Sequence, residues 1–191
     1  MVRESRGRDP ARNGAPVTAT IRPPRPEDQG YIAKTWSRSM LSAHAGGHAI
    51  ARHGAQRTQP ASKGQRRQDL LDAYNRRIDV VLDRPDTRAL VAVQPGNGVA
   101  ARDYILAWVV YVDAAGVPIV HYAYTRDHDD TGENLRGRGL VRALFARVGI
   151  ARATPVICTS DGPSSAAMRE HFRASTYYPL DQFLSPSKER R

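Results

Sequence analysis

His121-Tyr122-Ala123-Tyr124-Thr125, followed after nine acid-rich residues by Leu135-Arg136-Gly137-Arg138-Gly139-Leu140-Val141, is the stretch on which the fold turns. The first run reads as a strand. Beyond the second, Leu140, Leu144 and Val148 recur at steps of four, with Val141 and Phe145 beside them, which predicts a helix. A helix N-terminus leaves its first backbone N–H groups unpaired and carries partial positive charge. Glycines let an anion approach those groups closely, and arginines add charge-assisted hydrogen bonds. The turn is therefore a candidate phosphate cradle without a catalytic lysine. A P-loop needs a longer spacing and Gly-Lys-Ser/Thr, which this turn lacks.

Upstream of that stretch, Pro118 to Thr125, Asp103 to Val112 and Arg88 to Val93 read as strands separated by turn residues. Strands joined by such tight turns pair antiparallel. Val17 to Arg22 is a further short strand, ended by Pro23-Pro24-Arg25-Pro26. Ile32, Trp36 and Met40 mark one helix face, with Pro26 fit for its first position and Glu27 and Asp28 in its first turn. Leu70, Tyr74, Ile78 and Leu82 mark a second helix, stopped by Pro85. Downstream, Val156 to Thr159 reads as a buried strand, Ser164 to Phe172 as a helix and Thr176 to Leu184 as extended. A strand–helix–strand unit pairs parallel. The expected fold is α/β (α+β): a mixed, mostly antiparallel central sheet with helices on both faces. It spans residues 17–184, with a flexible basic arm at 1–16, a long Gly-rich loop at 42–65 and a basic tail at 185–191.

The charge is lopsided. Lys and Arg number 29 against 19 Asp and Glu, a formal net charge of +10. Arg3 to Arg25 carries six arginines against two acids, and Leu135 to Thr154 five against none. Such stretches attract nucleic acid, phosphorylated ligands or acidic protein surfaces, or else are simply solvated. The single cysteine, Cys158, excludes an intrachain disulfide and reads as a buried thiol. No stretch approaches the roughly 18 apolar residues of a membrane span, and no hydrophobic segment follows the Arg-rich start. A cytoplasmic location is expected.

The element order and the turn Arg136-x-x-Gly139-x-Val141 resemble the GCN5-related N-acetyltransferase (GNAT) superfamily. Its signature there is Arg/Gln-x-x-Gly-x-Gly/Ala. More narrowly, the chain is similar to small GNAT-like proteins of tailed bacteriophages in Ile21-Arg22-Pro23, Thr35-Trp36-Ser37-Arg38-Ser39, Ile105-Leu106-Ala107-Trp108, His121-Tyr122-Ala123-Tyr124 and Tyr177-Tyr178-Pro179. The resemblance implies acetyl-CoA as cofactor. Gly137, Arg138, Gly139, Leu140 and Val141 would bind its pyrophosphate, with Arg136 at the rim. Tyr124 and Thr125 belong to the strand run, Tyr122 to Thr125, that would line the pantetheine arm and lend a backbone N–H to the thioester oxygen. Val141 stands where the family carries Gly or Ala. His171 stands where the family carries the Tyr that protonates the leaving thiolate. The loop from Arg126 to Asn134, longer than the family's, would either supply a base or neutralise the local arginines.

His121 is a second catalytic candidate, as a base or substrate-orienting group, with a hydrogen-bonded core histidine as the alternative. His44, His48 and His53 would need a helix to share a metal, and Gly46-Gly47 argues against one. Asp127-x-Asp129-Asp130-x-Gly132 lacks the closing Glu of a calcium loop. No metal is expected, and Trp36, Tyr74 and Trp108 are expected in the core. Three functions follow. One is an acetyl-CoA-dependent N-acetyltransferase of unspecified amine. The second is a catalytically silent GNAT-fold component of a phage particle, held by protein partners through the basic arms and loop 42–65. The third is a nucleic-acid binder, for which few aromatics interleave with the arginines.

Overall fold

The computed structural model describes residues 19–44, 63–96, 103–113, 116–160, 172, 175–180 and 184. Within them lie β1 (Thr20–Arg22), α1 (Pro26–His44), α2 (Lys63–Leu82), β2 (Thr87–Gln94) and β3 (Tyr104–Val112). β4 (Ile119–Thr125), α3 (Leu140–Arg147), β5 (Val156–Cys158) and β6 (Ser175–Tyr177) follow. The strands form one sheet in sequence order, β1-β2-β3-β4-β5-β6. Pairing is antiparallel from β1 to β4 and parallel between β4 and β5 and between β5 and β6. The mixed, mostly antiparallel sheet is thus the one expected.

β3 is the centre of the structure. Its sequence Tyr-Ile-Leu-Ala-Trp-Val-Val-Tyr-Val is a nearly continuous apolar run, as a strand covered on both faces requires. One face packs against Ile32 and Trp36 of α1 and Ile78 and Val81 of α2, together with Val91, Trp108, Val110 and Tyr122. The other packs against Leu140, Leu144 and Phe145 of α3, together with Leu106, Val109, Val120, Ala123 and Phe172. Trp36 and Trp108 are fully buried and Tyr74 nearly so, as their spacing predicts, and Cys158 is buried too.

Two bulges set the phase of the sheet. Ala92 faces Ala107 but Val93 faces Ile105, so Leu106 is an extra residue on β3. Val110 faces Tyr122 but Tyr111 faces Val120, so His121 is an extra residue on β4. A bulge re-aims everything beyond it on its strand.

The entry to α1 is fixed by charge. Asp28 is buried, and its Oδ2 accepts from the Arg25 amide at 2.7 Å, the back-reaching half of a capping box. Oδ2 also accepts from Arg22 Nη1 at 2.6 Å, while Arg22 Nε and Nη2 donate to Asp103 at 3.2 and 2.9 Å. β1, α1 and the start of β3 are thereby tied together. Burial alone would raise the Asp28 pKa, but the hydrogen bonds from Arg22 and the Arg25 amide outweigh it and hold the group below its ordinary value. A depressed carboxyl pKa gives stability that is present above the unfolded value of about 3.9 and lost as pH falls through the folded one. Thermal melts should therefore show stability falling below about pH 4, and Asp28→Asn should remove part of that acid dependence.

Some boundaries differ from those the sequence suggests. α1 runs on to His44 and α2 begins at Lys63, so both helices invade the stretch read as the loop 42–65. Residues 45–62, the arm 1–16, the tail 185–191 and most of the helix expected at 164–172 lie outside the described residues. The extended reading of Thr176 to Leu184 is corrected. Among its described residues the strand is Ser175–Tyr177, while Leu180 and Leu184 are helical. Pro179 cannot donate to a sheet and suits a first helical turn, and Leu180 and Leu184, one helical step apart, pack on the α1–α2 side.

Candidate functional site

The site begins where β4 leaves β5. On their shared edge Ile157 N donates to Pro118 O at 3.0 Å and Thr159 N to Val120 O at 3.1 Å. Beyond Val120 no pairing joins β4 to a described residue of β5. Arg126 N donates to Leu106 O at 2.8 Å, on the β3 side. Backbone groups of alternate residues point the same way, so Tyr124 and Tyr122 also address β3. The amides of Ala123 and Thr125 consequently face the β5 side, where no described residue pairs with them. Without the extra residue His121 this phase would be reversed, because Val120 addresses β5.

Past Arg126 the acid-rich segment folds into a small closed loop. Leu135 N donates to Asp127 O at 2.8 Å, and Asp129 N to Glu133 O at 3.0 Å. His128 and Asn134 form a bridge between its arms. The Asp129 carboxylate accepts from the Thr131 amide, the Thr131 hydroxyl and the Glu133 amide at 2.7–3.0 Å, and these bonds hold its pKa down. That oxygen organises the loop tip, so the resemblance to a calcium ligand is a turn signature. Among the described residues no cluster of His, Cys, Asp and Glu is placed to hold a metal.

The loop delivers the chain directly to the Gly/Arg turn. Gly137 and Gly139 both sit at φ +79°, in the left-handed region that favours glycine. Gly139 is the residue before the first turn of α3, and no side chain caps that end. The helix's first backbone bond runs from Ala143 N to Gly139 O at 2.9 Å, so the amides of Leu140, Val141 and Arg142 precede the ladder. Beyond its own chain neighbours, a methyl group placed on Gly137 or Gly139 would meet no described atom within 4 Å, so the space at those two positions is open. Val141 packs its side chain against the α3-side core, which takes its branched bulk partly out of that space.

The arginines of the turn are engaged by the loop. Arg136 Nε donates to Asp127 Oδ1 at 2.7 Å, both groups being mostly exposed. Arg138 pairs with Glu133 and donates from Nε to Asn134 O at 3.2 Å. The charge balance of the cradle is therefore set by backbone amides plus arginines already partnered by carboxylates. Of the two outcomes open for the loop, its geometry fits neutralisation.

The catalytic candidates fall in different places. His121 is fully buried, with Nδ1 2.9 Å from Thr159 Oγ1. Burial, with a contribution from Arg84, pushes its pKa down to about 4, so it stays neutral near pH 7. It occupies the core as the bulge residue of β4, and it acts on the site by setting the phase of Ala123 and Thr125. His171 lies outside the described residues. Tyr124 and Thr125 are partly buried at the end of β4, joined through the closed loop to the turn Arg136 to Val141.

The same end carries an arginine that motif reading passes over. The Arg126 guanidinium lies 4.0 Å from the Tyr104 ring centroid and 5.7 Å from that of Tyr31. Tyr124, Trp108, Trp36 and Tyr122 continue the aromatic run into the core, with neighbouring ring centroids 5.4–6.0 Å apart. The legible signal is a lone Arg directly after an aromatic strand.

No protein-family model matches the chain, and no curated protein matches it in sequence. Among solved structures it is similar to a PaiA N-acetyltransferase of Thermoplasma acidophilum in complex with coenzyme A. That match has 12% identity over 70% of either chain, at a TM-score of 0.39. A transcriptional regulator from Bacillus halodurans C-125 is 15% identical over 91% of this chain and 97% of that one, at 0.39. A ribosomal-protein-alanine N-acetyltransferase from Brucella melitensis is 13% identical over 91% and 95%, at 0.35. Likenesses at this level say nothing of what this chain binds or acts on.

Proposed function

We propose that the chain is an N-acetyltransferase of the GNAT type, taking acetyl-CoA as donor and a primary amine as acceptor. One observation carries the reading. The bulge at His121 turns the Ala123 amide to the β5 side, where no described residue pairs with it, at the strand end that leads into an uncapped, glycine-led helix start. Acyl transfer from a thioester needs this pair of features: a donor for the carbonyl oxygen and a seat for a polyanionic handle.

The chemistry follows from those positions. The amides from Gly137 to Val141 would hold the pyrophosphate, with the partial positive charge of α3 behind them. The Ala123 N–H would stabilise the negative charge that develops on the carbonyl oxygen as the amine nitrogen attacks. A C–N bond forms and the C–S bond breaks. The amine gives up one proton, and the departing thiolate takes one. His121, neutral and enclosed, holds the strand in phase and moves no proton.

A second reading has its own observation. Arg136 and Arg138 are already paired with Asp127 and Glu133, as in a fold retained for a structural or adaptor role, in a phage particle or elsewhere. Calorimetric titration of acetyl-CoA into the protein and into Asp127→Asn/Glu133→Gln separates the two. If the cradle binds acetyl-CoA, releasing both arginines should tighten it by about two- to fivefold, the scale of exposed ion pairs. If the role is structural, neither form binds and the double variant only loses a little stability.

A further inference from the structure

The arginines near the mouth of the site differ in what holds them. Arg22 and Arg25 meet Asp28 and Asp103, Arg136 meets Asp127, and Arg138 meets Glu133. Arg126 meets rings: Tyr104 at 4.0 Å and Tyr31 at 5.7 Å. No carboxylate of a described residue pairs with it. Its backbone is fixed by the 2.8 Å bond from its amide to Leu106 O. Stacking on a ring occupies the face of a guanidinium and leaves its edge, with the paired N–H donors, available to a planar anion. Half-burial strengthens that donor edge relative to one in open water.

Position indicates which anion. Tyr31 belongs to α1, and Arg126 follows Tyr122 and Tyr124, both packed on the α1–α2 side, at alternate positions, while the Tyr104 ring beside it borders the α3-side cluster; the guanidinium thus sits across the sheet's end, reached from the α1 side. The helix start with its open amides belongs to α3, which packs on the opposite face. A phosphate seated on those amides is reached from the α3 face, and Arg126 faces whatever enters past the partly buried rings of Tyr31 and Tyr124. We infer that Arg126 binds a carboxylate on the acceptor, so that the substrate is an amine that also carries a carboxylate. The inference rests on the acetyltransferase reading and adds to it the chemical class of the acceptor. Arg126 is its specificity-determining residue. The transfer is the one described: the acceptor nitrogen gains the acetyl group and loses a proton, and CoA leaves as the thiol.

The test is free-thiol release from acetyl-CoA with free amino acids, with the same amino acids as C-terminal amides, and with spermidine. The protein should use the acids with kcat/KM about tenfold or more above that for the amides, the scale of one charge-assisted hydrogen-bonded pair. Arg126→Gln should remove that preference mainly through KM, and Arg126→Lys, which keeps the charge but not the fork, should restore part of it. Both variants should keep the melting profile and an acetyl-CoA Kd within about twofold of the parent, since the pyrophosphate seat lies on the α3 face. Preference for amides or for spermidine overturns the inference. So does the absence of thiol release with any carboxylate-bearing amine from a protein that binds acetyl-CoA. A large loss of acetyl-CoA affinity in Arg126→Gln reassigns Arg126 to a donor phosphate and overturns it too. Failure of the parent protein to bind acetyl-CoA is a separate result, which removes the acetyltransferase reading and this inference with it.

Discussion

Trp108→Ala is expected to lower unfolding stability by about 3–5 kcal/mol, a large part of what a domain of this size possesses. Trp108 is fully buried at the middle of the central strand. Its ring centroid lies 6.0 Å from that of Trp36, 5.4 Å from Tyr122 and 5.7 Å from Tyr124. Its Nε1 donates to Thr35 Oγ1 at 3.1 Å, which pins α1 to the sheet. Truncation removes an aromatic volume that the surrounding rings cannot close over, and it deletes the hydrogen bond between helix and strand. Urea unfolding followed by circular dichroism measures the loss. Trp108→Phe, which keeps part of the volume, should lose clearly less. Equal losses in the two variants would mean that the hydrogen bond to Thr35, and not the packed volume, is what matters.

Gly139→Asp is expected to weaken acetyl-CoA binding by about 100-fold or more, since placing a like charge against an anion costs several kcal/mol. The residue stands at φ +79°, directly before α3, with open space where a side chain would go. An L-residue there costs about 1–2 kcal/mol of backbone strain, and Asp and Asn are among the side chains that tolerate it best. The variant should therefore fold with a modestly lowered Tm and fail at the ligand. Gly139→Asn is the control, with the same strain, nearly the same volume and no charge. If binding falls equally in both, the cause is the conformation of the turn and not the repulsion of a phosphate.

Much of the architecture is legible in the chain's local patterns. Ile32, Trp36 and Met40 define the buried face of α1, the apolar run in Tyr104–Val112 defines a strand covered on both sides, and Gly137 and Gly139 mark the helix start. These features are local: a periodicity, a run, a backbone conformation that glycine favours. The features that local patterns do not reveal are non-local. That His121 is an extra residue on β4 depends on how β4 is registered against β3, and a strand alone does not state its register. Val120 and Ala123 packing on one face, three residues apart, is the trace it leaves in the sequence. The pairing of Arg136 with Asp127 and of Arg138 with Glu133 needs the loop to close, which rests on backbone bonds such as Leu135 N to Asp127 O. The place of Arg126 cannot be read from the chain because Tyr31 lies far from it in sequence and no motif joins them. The turn of Pro179 into helix is hidden because an aromatic pair before a proline reads as strand.

The central claim is that the β5-facing amide of Ala123 and the glycine-led start of α3 together form an acyl-CoA site. Its most direct measurement is calorimetric titration of the unmodified protein with acetyl-CoA at low ionic strength, with the shift in Tm followed in parallel. The predicted result is saturable binding of one equivalent per chain with a Kd between about 1 µM and 1 mM, the range in which enzymes hold such substrates, together with a raised Tm. The absence of both a heat of binding and a shift in Tm at millimolar acetyl-CoA would contradict it.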